Sequence, residues 1–79
     1  MIQAYILIRT RIGTMGAAVK KMKDLQCIEN ISVVAGDYDI IAKSNVESLE
    51  ALMELTDRIQ EIPGIERTNT LVIEKEITQ

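Results

Sequence analysis

In the segment VVAGDYDIIAK, residues 33–43, the carboxylates of Asp37 and Asp39 flank Tyr38 directly after Gly36. An Asp-x-Asp pair can hold a divalent cation or work as acid and base. No further ligand converges on this pair in the sequence, and the chain contains no histidine. The plainer reading gives one carboxylate to a turn and leaves the other in water. Nucleophilic catalysis has still less to draw on, because Cys27, Ser32, Ser44 and Ser48 have no imidazole to act as their base. These residues point away from an enzyme, a metal centre and a bound cofactor.

Another stretch that could do chemistry is GTMGAAVKK, residues 13–21, where Gly-x-x-Gly precedes a lysine-bearing segment. Such a pattern can form a phosphate nest at a helix start or a backbone clamp on nucleic acid. A strand precedes these glycines, whereas the clamp joins two helices, so a flexible strand-to-helix turn is the better reading. Cys27 lies between Asp24 and Glu29, opposite to the electropositive setting of a reactive thiol, and reads as inert.

The elements that must position these residues follow from periodicity. Ile2 to Ile12 is apolar and β-branched, with Ala4, Ile6 and Ile8 on one face and Tyr5 and Leu7 on the other. After Gly13, Thr14 can cap a helix whose apolar face is Met15, Ala18, Val19, Met22 and Leu25, opposite Lys20, Lys21 and Lys23. Ile28 to Ala35 reads as a second strand and Asp39 to Lys43 as a third, joined as a hairpin through Gly36-Asp37-Tyr38. Ser44 to Glu47 offers a capping box for a second helix, with Val46, Leu49, Leu52, Met53, Thr56 and Ile59 along one face. That helix stops at Pro63-Gly64. A last strand, Ile65 to Ile77, sets Ile65, Leu71, Ile73 and Ile77 against Glu66, Thr68, Thr70, Glu74 and Glu76.

The order βαββαβ predicts one α+β domain over residues 1–79, a ferredoxin-like sandwich with a four-stranded antiparallel sheet and both helices on one face. In a monomer the second sheet face would be polar, yet Tyr5, Leu7, Val34, Ile41 and Val72 also compete for burial. A second subunit is the expected cover, at roughly 1.5–3 kcal/mol per buried side chain before association costs. A chain this short recovers only about 60% of its unfolded surface on folding, so it gains from a partner.

Composition narrows the partners. The net charge is −3, with the lysines and arginines scattered, so the concentrated basic face of a DNA-binding protein is missing. A lone cysteine fits a reducing compartment, the amino terminus lacks the order of a secretion signal, and no apolar run approaches the ~18 residues of a membrane span. The expectation is a soluble cytoplasmic protein without a membrane partner.

Taken together, VVAGDYDIIAK and IPGIERTNTLVI resemble the paired signature of the RAM domain, the amino-acid-sensing module of the leucine-responsive regulatory protein/AsnC family. In that family the hairpin reads Gly-x-Tyr/Phe-Asp, matched by Gly36, Asp37, Tyr38 and Asp39, and the last strand opens Pro-Gly-Val-x-x-Thr-x-Thr, matched by Pro63, Gly64, Ile65, Thr68 and Thr70. The resemblance runs from Gln3 to Ile77. Ala35 stands where many relatives carry threonine, and no helix-turn-helix precedes the domain, so it looks like a stand-alone module.

The resemblance implies a homodimer that assembles further, and an effector, an amino acid or similar small molecule, held where subunits meet. Glycine at position 36 leaves backbone amides open to a carboxylate, and Asp37 or Asp39 can pair with an ammonium. Thr68 and Thr70 can present hydroxyls to the same region. Any effect on transcription would run through full-length regulators of the same family, without direct DNA binding. Two other readings stay open: a pure assembly module whose hairpin only packs, and a small enzyme of the dimeric α+β barrel kind using Tyr38 or Asp39, for which the sheet lacks polar lining.

Overall fold

A computed structural model describes all of Met1–Gln79. The elements run β1 (Ile2–Thr10), α1 (Met15–Met22), β2 (Ile28–Val33), β3 (Ile40–Val46), α2 (Leu49–Gln60) and β4 (Ile65–Val72). One four-stranded antiparallel sheet in the order β2-β3-β1-β4 results, with both helices on one face, the ferredoxin-like arrangement expected from the sequence. The two central strands alternate strictly. Ala4, Ile6 and Ile8 of β1 and Ile40, Ala42, Ser44 and Val46 of β3 are buried beneath the helices. Ala18 and Met22 of α1 and Leu52, Leu55 and Ile59 of α2 close the core from above. Ser44 is its one polar member, and its hydroxyl donates to the Ala4 carbonyl at 3.2 Å, so no buried donor is wasted.

Several boundaries differ from the sequence reading, each for a local reason. β1 ends at Thr10 instead of Ile12, whose side chain is fully exposed. Thr14 occupies the N-cap of α1 but its hydroxyl makes no cap bond; it donates to the Arg11 carbonyl at 2.7 Å and the Gly64 carbonyl at 3.4 Å, tying two loops together. The capping box at Ser44–Glu47 does not form, because Ser44, Asn45 and Val46 continue β3 along β1. Ser48 caps α2 instead, accepting from the Ala51 amide at 3.1 Å. The inward face also differs: Leu55 joins Leu52 and Ile59 inside, while Leu49 and Met53 stand 58% and 66% exposed.

Two β-bulges reset the edge strands. In β2 the register passes from Ile28↔Ser44 to Asn30↔Lys43, with Glu29 the extra residue. In β4 it passes from Ile65↔Thr10 to Arg67↔Arg9, with Glu66 extra. One inserted residue reverses the side-chain parity beyond it. Thr68, Thr70 and Val72 therefore share the helix-covered face with Ile8, Ile6 and Ala4, while Arg67, Asn69 and Leu71 fall on the open face. The expected alternation of β4 breaks here, and Leu71 takes the place assigned to Val72 on the open face. β4 also ends at Val72 instead of Ile77.

The open face carries Tyr5, Leu7 and Ile41, none of them fully buried, with Leu71 47% exposed at its border. At one end the chain folds back after β4. The Ile73 amide donates to the Gln3 carbonyl at 2.9 Å, and Lys43 Nζ meets Glu76 Oε2 at 3.0 Å while lying 5.9 Å from the Tyr5 ring centre. The hydrogen bond to Glu76 holds the Lys43 ammonium above its ordinary value of 10.5, outweighing the opposing effect of desolvation. The clasp is thus fully present below that value and is lost as pH rises through the raised one. Beside it, Asn45 Oδ1 is buried without a hydrogen-bond partner.

Candidate functional site

The hairpin between β2 and β3 is wider than a two-residue turn. The Val34 amide donates to the Asp39 carbonyl at 2.8 Å, and the Asp39 amide to the Ile8 carbonyl at 2.9 Å, so residues 35–38 form a loop projecting past the end of β1. Gly36 adopts φ +138, open only to glycine, with nothing within 4 Å of where a side chain would start. Its backbone is approachable from solvent.

The two aspartates have different surroundings. Asp39 Oδ2 accepts from the Thr10 amide at 2.8 Å and the Thr10 hydroxyl at 3.3 Å. Its carboxylate therefore ties the hairpin to the end of β1. Asp37 is exposed, and its carboxylate makes no hydrogen bond or ion pair; only its backbone carbonyl is used, accepting from Arg9 Nη1 at 3.1 Å. Tyr38 is half-buried, and the Arg67 guanidinium lies 5.4 Å from its ring centre. Gly36, Asp37, Tyr38 and Asp39 are thus one unit, with Arg9 and Arg67 drawn in from β1 and β4.

Thr68 and Thr70 do not join that unit within one chain. Both are half-buried on the helix side of β4, and the Thr68 hydroxyl accepts from Gln60 Nε2 at 2.8 Å. A cleft of about 360 Å³ lies at the start of β4, lined by Gln60, Ile65, Glu66, Arg67 and Thr68. Arg67 is the residue common to the hairpin cluster and this cleft. A larger hollow of about 420 Å³ lies elsewhere, between the α1–β2 turn and α2, with Leu25, Cys27 and Arg58 on its walls. Arg58 there is engaged by Glu54 at 3.6 Å, Asp24 and Gln26 also line the hollow, and no unpaired cation stands in it, so the hairpin region, with a free carboxylate beside arginine, is the better site for a zwitterion.

Arg9, Thr10 and Arg67 escape a reading of the sequence because nothing local marks them. Their roles depend on the bulge at Glu66 and on the β1–β4 register. The difference between the aspartates is directly testable. Asp39→Asn keeps one acceptor for Thr10 but removes the charge, and should lower unfolding stability by about 1 kcal/mol, whereas the same change at the free Asp37 should stay within about 0.5 kcal/mol by urea denaturation.

Comparison with known proteins agrees with this architecture. The profile of a family described as the Lrp/AsnC ligand binding domain matches residues 3–79. The HTH-type transcriptional regulator FL11 of Pyrococcus abyssi is 31% identical over 72 residues, covering 91% of this chain and 48% of that protein. This chain thus spans about half the length of that curated relative. Among solved structures, TTHA0845 of Thermus thermophilus superposes with a TM-score of 0.92 at 30% identity, covering 100% of both chains. AsnC of E. coli superposes with a TM-score of 0.90 at 25% identity, covering 99% of this chain and 54% of that one.

Proposed function

The chain belongs to the Lrp/AsnC ligand binding domain family, and on that premise we propose that it is a regulatory module that binds a small effector, an amino acid or a close relative, and self-associates through its open sheet face. Lrp/AsnC proteins are transcription regulators, so the output is control of transcription. The observation that carries the effector reading is the state of the hairpin. Asp39 holds the loop to β1, which leaves Asp37 and the Gly36 backbone facing solvent, with Arg9 at the Asp37 carbonyl and Arg67 beside Tyr38. A carboxylate and cations brought together at one end of the sheet suit a zwitterion.

Self-association rests on Tyr5, Leu7, Ile41 and Leu71, an apolar set with no helix over it. The partner would be a second copy, or a full-length regulator presenting the same face. Assembly also bears on the site: Thr68 and Thr70 lie across the sheet from the hairpin cluster, so a site that uses them together with Asp37 needs two chains. With a charge of −3 the module should not grip duplex DNA alone and would act through DNA-binding relatives in the cytoplasm.

A thermal-shift panel of the twenty amino acids tests this reading. At a hundredfold excess over Kd a ligand that binds only the folded state adds about 2.7 kcal/mol, or roughly 10–20 °C in a domain of this size. A saturable shift for one or a few amino acids is expected. Silence across the panel would favour the assembly module, a reading that the structural duty of Asp39 also suits.

A further inference from the structure

Two like charges share one spot on the open face. Arg9 and Arg67 stand directly opposite each other in the β1–β4 register, a placement at which like charges destabilise an antiparallel pair. Glu66 relieves only Arg9, its Oε1 lying 3.4 Å from Nε. Arg67 has no carboxylate within ion-pair distance and rests against the Tyr38 ring. The opposite sign is close by in Asp37, whose carboxylate is free. Local conflicts of this kind gather where a surface serves function in place of stability.

We propose that Arg67, with Arg9 beside it, is the receptor for the carboxylate of the effector, and that Asp37 meets its ammonium; the inference rests on the effector reading above. The guanidinium presents a planar fork that matches a carboxylate with two parallel hydrogen bonds. The Tyr38 ring 5.4 Å away attracts the cation without using any of its N–H groups. The cation also borders the cleft of about 360 Å³ at the free edge of β4, a volume suited to a small solute. Glu66 already pairs with Arg9, so Arg67 is the arginine left without an ion-pair partner and open to one carboxylate. Binding therefore removes a repulsion built into the empty protein. The ligand class is a small α-amino acid with both ends free.

The test is calorimetric titration of the parent protein with each of the twenty amino acids, then of the tightest binder against its carboxamide, in the parent, Arg67→Gln and Arg67→Lys. Arg67→Gln should weaken the amino acid by about 10- to 100-fold, the worth of a charge-assisted pair. The carboxamide should be weakened similarly in the parent and should lose nothing further in Arg67→Gln. Arg67→Lys, with the charge but not the fork, should fall between. In ligand-free protein, Arg67→Gln should keep or raise the Tm, because it removes a repulsion; a purely structural arginine would lower it. If the amino acid and its carboxamide bind parent and Arg67→Gln alike, the carboxylate receptor is wrong while the effector reading stands. If no amino acid binds the parent, both fall.

Discussion

Gly64→Ala is expected to cost about 2–4 kcal/mol of stability, lowering Tm by roughly 10–30 °C, through two additive effects. Gly64 sits at φ +94, where an L side chain is strained by about 1–2 kcal/mol. A methyl there would also meet Thr14 Cβ and Oγ1 at 2.5 Å, so one of the two loops must move. That movement disturbs a junction made by the Arg11 amide and Thr14 hydroxyl on the Gly64 carbonyl, at 2.8 and 3.4 Å. Gly13→Ala is the control, since Gly13 has a similar φ of +85 but nothing within 4 Å. Its cost should be the backbone part alone, and equal losses in the two variants would remove the Thr14 contact from the account. Urea unfolding of both measures the difference. In a domain with a total stability of about 5–15 kcal/mol, the Gly64 variant should be close to its limit.

The other large effect is on assembly. Leu7 lies mid-strand on the open face, opposite Ile41 on one side and Asn69 on the other. Leu7→Glu places a carboxylate in the centre of the proposed interface, and a two-fold axis places it there twice. Burying unpaired like charges should weaken association by about 3 kcal/mol or more, over a hundredfold in Kd. Sedimentation at micromolar concentration should then give the 8.9 kDa single chain, against a dimer or larger for the parent. The fold itself should be retained, because Leu7 faces away from the helix-covered core of Ile6 and Ile8. A Leu7→Glu protein that still sediments with the parent would exclude the open face as the interface.

How much of this was legible in the sequence can be traced residue by residue. The central strands were, because Ala4, Ile6 and Ile8 alternate without interruption and period two needs no tertiary information. The hairpin was legible as a unit, since Gly36 marks a backbone that other residues avoid. The start of α2 was not: Ser44-x-x-Glu47 and Ser48 are both plausible caps, and pairing of Ser44 with Ala4 in the sheet decided between them. The phase of β4 was hidden for a stronger reason. The extra residue at Glu66 is defined only against β1, and it alone moves Thr68 and Thr70 to the helix side and Arg67 to the hairpin side. The division of labour between Asp37 and Asp39 likewise depends on where Thr10 ends β1.

The proposed effector site lies at the hairpin end of the sheet. Amide chemical-shift mapping of ¹⁵N-labelled protein titrated with a mixture of the twenty amino acids tests it most directly, because it reports both binding and place. Saturable shifts are expected at Gly36, Asp37, Tyr38 and Asp39, extending to Arg9 and Arg67. Unchanged spectra, or shifts confined to the hollow around Leu25, Cys27 and Arg58, would contradict it.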